Sequence, residues 1–330
     1  CGILEGDFAN VVFTLTFIAS AISVFAAITY VVVFLRFQTK NTQNILIALL
    51  TTANGLTCFE TLLGTFHYKT DIPFGRGEGF CVFQSIICTY FGIVADIYTF
   101  YVELCICLRI AFGLTIIRTR TAKVVYHVLA WVVPLIIVLC AWGRGTLGES
   151  ETIAGMWCWI SDGVSKQERW VWMVVTKQGW ELVVYLSTCF MFIIIIYQRY
   201  CRKVHPSITN SYNESRRLFD SGNSTDNAER QQSSVNSILV WVGIYFYLAK
   251  MWGTIRYSVH IYSLAFDADI SGFRPVEKYF FVLFQSVADS LQATITFCIF
   301  VLKDKDMRHK LFCKCKEKEE QGSSEKDITP

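Results

Sequence analysis

Charged and amide side chains interrupt stretches of sequence that are otherwise apolar, and their spacing follows the helical repeat. Thr89, Asp96, Thr99 and Glu103 stand seven, three and four residues apart, so on a helix they share one face. Gln285, Asp289, Gln292 and Thr296, at intervals of four, three and four, form a second stripe. Lys177 and Glu181 are one turn apart, as are Arg256 and His260, with Lys250 upstream in the same run as Arg256; Asn54 and Glu60 belong to another run. A charged group in hydrocarbon is costly, so such residues face a bundle interior or a water-filled cavity, where they can bind a ligand, pass an ion or relay a proton. The plainer alternative is that they pair across helices and hold the bundle, with Lys177 neutralised by Glu181.

Depth along the runs separates two groups. Glu60, Lys177, Glu181, Arg256 and His260 fall in the outer half, within reach of a ligand arriving from outside, under a lid containing Trp157 and Trp159. Asn54, Asp96, Glu103, Lys250 and Asp289 fall deeper, where a conformational switch or an ion site is expected.

Catalytic chemistry would need other residues. A retinal Schiff base requires a lysine midway along the last run, but Lys278 is at its outer edge and Lys303 lies past its inner end. A zinc hydrolase requires converging histidines, and His67, His127, His205, His260 and His309 are scattered without paired spacing, so no metal is expected. An intramembrane aspartyl protease would use two facing aspartates, and neither Asp96 nor Asp289 has the Gly-x-Gly-Asp setting. No cofactor and no enzymatic activity are expected.

Positioning these residues requires seven helices. Of 330 residues 53% are hydrophobic and 17% charged, against about 25% charged in soluble domains. Apolar runs at Phe8–Leu35, Asn44–Phe66, Phe80–Ala111, Val124–Trp142, Trp170–Tyr197, Ser237–Tyr262 and Val276–Leu302 are each long enough to cross a bilayer, which takes about 20 residues. Pro134 is the only proline inside a run, so the helices are expected to be mostly continuous. With the N-terminus outside, the inner segments hold 19 Lys and Arg and the outer segments six, the asymmetry that sets orientation. The net charge of +3 is too balanced for nucleic-acid binding. The expected fold is an all-α membrane protein, a seven-transmembrane helix bundle over 8–302 with the N-terminus outside. Only residues 1–7 precede the first run and the chain opens on Cys1, so a longer native N-terminus is expected; no cleavable signal is visible.

Most of the 13 cysteines lie inside runs, where a thiol acts as a small apolar group. Cys81 and Cys158 stand apart on the outer side and are expected to be bonded to each other. Free thiols, or a bond from either to Cys1 or Cys140, remain open at this stage, because connectivity is not readable from sequence. Segment 198–236, with ten Ser or Thr from Ser207 to Ser237, reads as a flexible inner loop, where the sequons at Asn213 and Asn223 would escape glycosylation. In the tail, 303–330, Met307, Leu311 and Cys315 recur at intervals of four, giving a short amphipathic helix at the inner interface, with Cys313 and Cys315 as palmitoylation candidates against ordinary free thiols.

An outward N-terminus, seven helices, an outer disulfide from the third helix and a basic inner loop resemble a G-protein-coupled receptor. Landmarks of the largest class are absent: Arg109 lacks an Asp/Glu-Arg-Tyr setting, and there is neither a Cys-Trp-x-Pro nor an Asn-Pro-x-x-Tyr. The chain carries instead Trp157-Cys158-Trp159-Ile160, Trp180-Glu181, Trp252 with Arg256, and His127 followed by Trp131 and Pro134. From the second run to Cys315 these elements resemble the orphan G-protein-coupled receptor 157 family, similar in turn to slime-mould cyclic-AMP receptors and more distantly to secretin-type receptors. Asn54 stands where such receptors often carry an acidic residue, which removes a charge that a sodium-linked role would use.

The resemblance implies a multi-pass plasma-membrane receptor for an extracellular small molecule or peptide, with a heterotrimeric G protein, arrestin, receptor kinases and membrane lipid as partners. Arg109, Arg118, Arg120, Arg199, Arg202 and Lys203 are placed to line the G-protein groove, although inner basic residues also set topology and bind anionic lipid. The competing expectations are a ligand-independent or structural seven-helix protein, and a transporter or channel using the same stripes.

Overall fold

The computed structural model describes residues 6–37, 42–70, 78–112, 120–149, 158–204 and 225–303. The N-terminal tip, the tail with Cys313 and Cys315, Trp157, Arg118 and both sequons lie outside the described residues. The chain is built from helices α1 (Gly6–Phe37), α2 (Thr42–Thr70), α3 (Glu78–Phe112) and α4 (Arg120–Gly143), the last running through Pro134. Strands β1 (Leu147–Gly148) and β2 (Trp159–Ile160) then pair antiparallel, Leu147 opposite Ile160 and Gly148 opposite Trp159. The disulfide between Cys81 and Cys158, with Cα atoms 5.0 Å apart, ties the strand pair to the start of α3.

The outer surface is far more apolar than that of a water-soluble bundle, around an interior that holds both apolar and polar side chains. Along α1 many of the residues turned inward are small or polar, Ala9, Thr16, Ala19, Ser20, Ser23, Ala26 and Ala27, beside the larger Val12, Phe13, Tyr30 and Val33, while Val11, Leu15, Ile18, Ile22 and Phe25 face out, Phe25 at 73% exposure. Water would penalise that surface, whereas lipid does not, and small inward residues let helix backbones approach closely. The approach is tight where α2 crosses α1, since a Cβ on Gly55 would come within 2.5 Å of the Ala27 Cβ. Interhelical hydroxyl contacts replace apolar packing further along, with Ser20 Oγ donating to Ser290 Oγ at 3.0 Å and Ser23 Oγ 2.7 Å from Thr294 Oγ1.

Five helices among the described residues are long and apolar enough to cross a membrane: Asp7–Arg36, Ile45–Phe66, Gly79–Leu108, Thr121–Gly143 and Lys166–Gln198. The bent pair Tyr279–Ser290 and Gln292–Ile299 makes a sixth when taken as one span. The protein is an all-α, multi-pass membrane protein.

Two of the long runs are not the continuous α-helices that the scarcity of proline predicts. The fifth consists of α5 (Lys166–Met173), a π-turn (Val174–Gln178) and α6 (Gly179–Val204). Ser165 caps α5, its hydroxyl oxygen accepting from the Glu168 N–H at 3.3 Å. At the π-turn the Gly179 N–H reaches back to the Val174 carbonyl, and a Cβ on Gly179 would lie 2.7 Å from that oxygen. At this turn the close approach leaves no room for a side chain on residue 179.

After α7 (Thr225–Phe266), the last run comprises α8 (Arg274–Val276), a second π-turn (Glu277–Phe281), α9 (Val282–Ser290) and α10 (Gln292–Lys303). It bends by 49° at Leu291, whose N–H is shared between the Val287 and Ala288 carbonyls at 3.0 and 3.3 Å. The break thus arises from a change in hydrogen-bond register with no proline involved.

Helix also extends into the segment expected as a flexible loop. α6 continues to Val204 and α7 starts at Thr225, because 225–236 contains neither Gly nor Pro and holds the helix formers Ala228, Glu229, Arg230, Gln231 and Gln232. What remains of that loop, 205–224, is outside the described residues.

Candidate functional site

The charged side chains expected from the stripes meet in a cavity of about 70 Å³ between the helices. Asn54 and Glu60 reach it from α2, Thr89 and Asp96 from α3, Lys177 from the first π-turn, Glu181 from α6, Lys250 from α7, and Asp289 and Gln292 from either side of the Leu291 bend; Trp159 of β2 also lines it. Each of these positions follows from local structure. The stripe on α3 keeps Thr89 and Asp96 on one face, two turns apart. The bend at Leu291 carries Asp289 and Gln292 on opposite sides of a joint, where the Gln292 amide donates to Asp289 Oδ1 at 3.1 Å.

Lys250 is the central cation. Its Nζ lies 3.3 Å from Glu181 Oε1 and 3.9 Å from Asp289 Oδ1, so one ammonium ties α7 to α6 and α9. Lys177 Nζ stands 3.9 Å from the same Glu181 oxygen and also lies over the Tyr257 ring, 5.2 Å from its centroid. Glu181 therefore serves two lysines, so the plainer alternative of Lys177 neutralised by Glu181 describes one of its two contacts. Trp159 is fixed by its indole N–H, which donates to Thr176 Oγ1 at 3.1 Å. Four buried atoms on the cavity residues have no hydrogen-bond partner among the described residues: Glu60 Oε1, Thr89 Oγ1, Asp96 Oδ1 and Glu181 Oε2.

The separation by depth into an outer ligand group and an inner switch group is not how the side chains sort. Asn54, Asp96, Lys250 and Asp289, placed deeper by the sequence, share this cavity with Glu60, Lys177, Glu181 and Trp159. Arg256 and His260 do not line it. They converge on Glu277 at the second π-turn, where Arg256 Nε donates to Glu277 Oε1 at 2.7 Å and His260 Nε2 sits 2.6 Å from the same oxygen. Arg256 Nη1 also donates to Gln285 Oε1 at 3.2 Å, and the arginine is fully buried. Burial of a guanidinium demands a counter-charge, which Glu277 supplies from the edge of the last run, a pairing that no local sequence pattern marks. Glu103 occupies a third place, accepting from the Thr188 hydroxyl of α6.

No family model matches the chain. It is 23% identical over 244 residues to G-protein coupled receptor 157 of Mus musculus, covering 71% of this chain and 66% of that protein. The protein of the same name from Homo sapiens is 22% identical over 239 residues, covering 71% of this chain and 64% of its own length. The curated homologues of this chain are G-protein coupled receptor 157. The matched stretch spans a little under two thirds of the relatives' length.

The residues that carry the resemblance to this receptor occupy structural nodes. Trp159 and Glu181 line the cavity. Trp252 packs against Phe280 and Phe284 of the last run, with centroids 5.2 Å away in each case, and joins α7 to the second π-turn and α9. His127 and Trp131 both meet Tyr98, an unforeseen partner: the Trp131 indole N–H donates to Tyr98 Oη at 2.8 Å, and His127 Nδ1 lies 2.9 Å from the same oxygen. That node fastens α4 to α3. Among the basic residues expected at the inner end, Arg109 falls in the last turn of α3, Arg120 opens α4, and Arg199, Arg202 and Lys203 lie near the end of α6.

Proposed function

We propose that this protein is a plasma-membrane receptor that binds an extracellular ligand in the cavity lined by Glu60, Lys177 and Glu181 and activates a heterotrimeric G protein. The observation that carries this reading is the charged cavity between the helices, lined in part by Trp159 of a disulfide-tethered strand pair, in a chain homologous to G-protein coupled receptor 157. Seven crossings follow if the apolar stretch 237–262 of α7 also spans, and the basic bias then puts the N-terminus outside and the end of α6 and the start of α7 inside. The role is that of a transducer and involves no catalysis.

Transduction requires two helix arrangements that a ligand can favour unequally. Lys250 supplies the element with two states, because it is shared between Glu181 on α6 and Asp289 on α9. A ligand that competes for either carboxylate changes which helix α7 is held against. The shift is transmitted down α7 and α6 to the inner surface, where Arg109, Arg118, Arg120, Arg199, Arg202 and Lys203 receive the G protein. Arrestin and receptor kinases are the further partners of such a surface, and Cys313 and Cys315 are candidates for palmitoylation. Asn54, Asp96 and Glu103 belong with Lys250 and Asp289 to the polar interior that adjusts between states. Arg256 and His260 contribute indirectly, by fixing the outer end of α7 to Glu277.

A second-messenger panel in transfected cells, screened against metabolite and peptide libraries, tests this function. A response that depends on surface expression of this chain is expected. Ion or solute flux in liposomes containing the protein, with no second-messenger response to any compound, would overturn it.

A further inference from the structure

Among the described residues that line the cavity, acidic side chains outnumber basic ones. Glu60, Asp96, Glu181 and Asp289 face Lys177 and Lys250. The lysines are within 4 Å of Glu181 and Asp289. Glu60 and Asp96 have no ammonium within 4 Å among the described residues, although they are only 4% and 2% exposed; Lys177 and Lys250 act on them from further away. Each presents a buried oxygen with no hydrogen-bond partner, and between their levels Thr89 presents a third such atom. Buried acceptors left unpaired are costly, so these atoms mark where donors of a ligand would sit.

Their arrangement selects the kind of donor. No cluster of three or more His, Cys, Asp or Glu that could hold a metal ion occurs among the described residues. The two open carboxylates are at different depths. Glu60 lies level with Cys88 of α3, against which it packs, and Asp96 is eight residues further along the same helix, roughly 12 Å at the helical rise. An N–H···O contact of about 3 Å at each end leaves roughly 6 Å between two nitrogens, the length of a butane or pentane chain. The cavity of about 70 Å³ also holds about five to seven water-sized groups, the size of such a molecule.

We infer that the cavity takes a linear diamine of about four or five carbons, with one ammonium on Glu60 and the other on Asp96, its alkyl chain passing Thr89. With the two lysines, the dication matches the four acidic side chains of the cavity with four basic groups. This assignment rests on the reading of the cavity as the ligand site of a receptor.

The test uses the full chain purified in lipid nanodiscs, with melting temperature and binding measured against 1,4-diaminobutane, 1,5-diaminopentane, 1-aminobutane, a ten-carbon diamine and sodium chloride. The two short diamines should stabilise the protein and bind roughly ten- to a hundredfold more tightly than 1-aminobutane, the value of one charge-assisted hydrogen bond. Glu60→Gln and Asp96→Asn should each reduce diamine affinity to that of the monoamine. Equal binding of mono- and diamine, stabilisation by sodium alone, or no binding of any amine would overturn the assignment. If either variant fails to fold, the chain-length series on the unaltered protein decides alone. Diamine binding without G-protein activation would leave this site standing and remove the receptor reading, whereas activation by another library compound with no diamine binding would do the reverse.

Discussion

Arg256 shows how one buried side chain decides between two roles. Its position one turn before His260 is compatible with a ligand anchor, but both groups are spent on Glu277. Glu277→Gln should therefore cost about 3–5 kcal/mol, the effect of leaving a buried arginine without its counter-charge, and should appear as a lowered melting temperature and reduced surface level. Arg256→Lys keeps the charge and loses the planar fork that serves Glu277 and Gln285 together, so stability and any ligand response should fall in parallel. A variant at normal surface level with only ligand potency reduced would return Arg256 to the binding site. The stripes on α3 and the last run were legible because intervals of three and four place residues on one face. Which stripe residues would meet was not, since Lys250 reaches Glu181 across 69 positions in sequence through packing that no local pattern encodes.

The helices themselves were readable from apolar run length, and their boundaries in the structure exceed the runs by a few residues at most ends. The interruptions were hidden. A π-turn leaves the composition of a helix unchanged, and only Gly179 betrays the first one. Gly179→Ala should destabilise α5 and α6 by about 1–3 kcal/mol, because the new Cβ meets the Val174 carbonyl at 2.7 Å. Unchanged melting of that variant would mean that the turn can relax to an ordinary helix. The strand pair is held chiefly from outside itself, through the Cys81–Cys158 bond that closes a stretch of 77 residues. Cys81→Ser and Cys158→Ser should each lose about 4 kcal/mol by the chain-entropy account, together with ligand response, and the double variant should be no worse than either single one. Additive losses would show that the cysteines act separately.

For the whole molecule, orientation and coupling are linked, since the basic ends of α3 and α6 can meet a G protein only from the inside. Enzymatic deglycosylation of protein made in mammalian cells should leave its gel mobility unchanged, because the sequons at Asn213 and Asn223 then face the cytoplasm; a shift abolished by Asn213→Gln or Asn223→Gln would invert the topology. The most direct measurement is guanine-nucleotide exchange on each class of heterotrimeric G protein, in membranes displaying this chain while the amine series and compound libraries are applied. At least one class should exchange faster, and replacing Arg199, Arg202 and Lys203 together by Ala should abolish the acceleration at unchanged surface level. Exchange that no compound accelerates for any class, or full acceleration by the triple variant, would contradict the account.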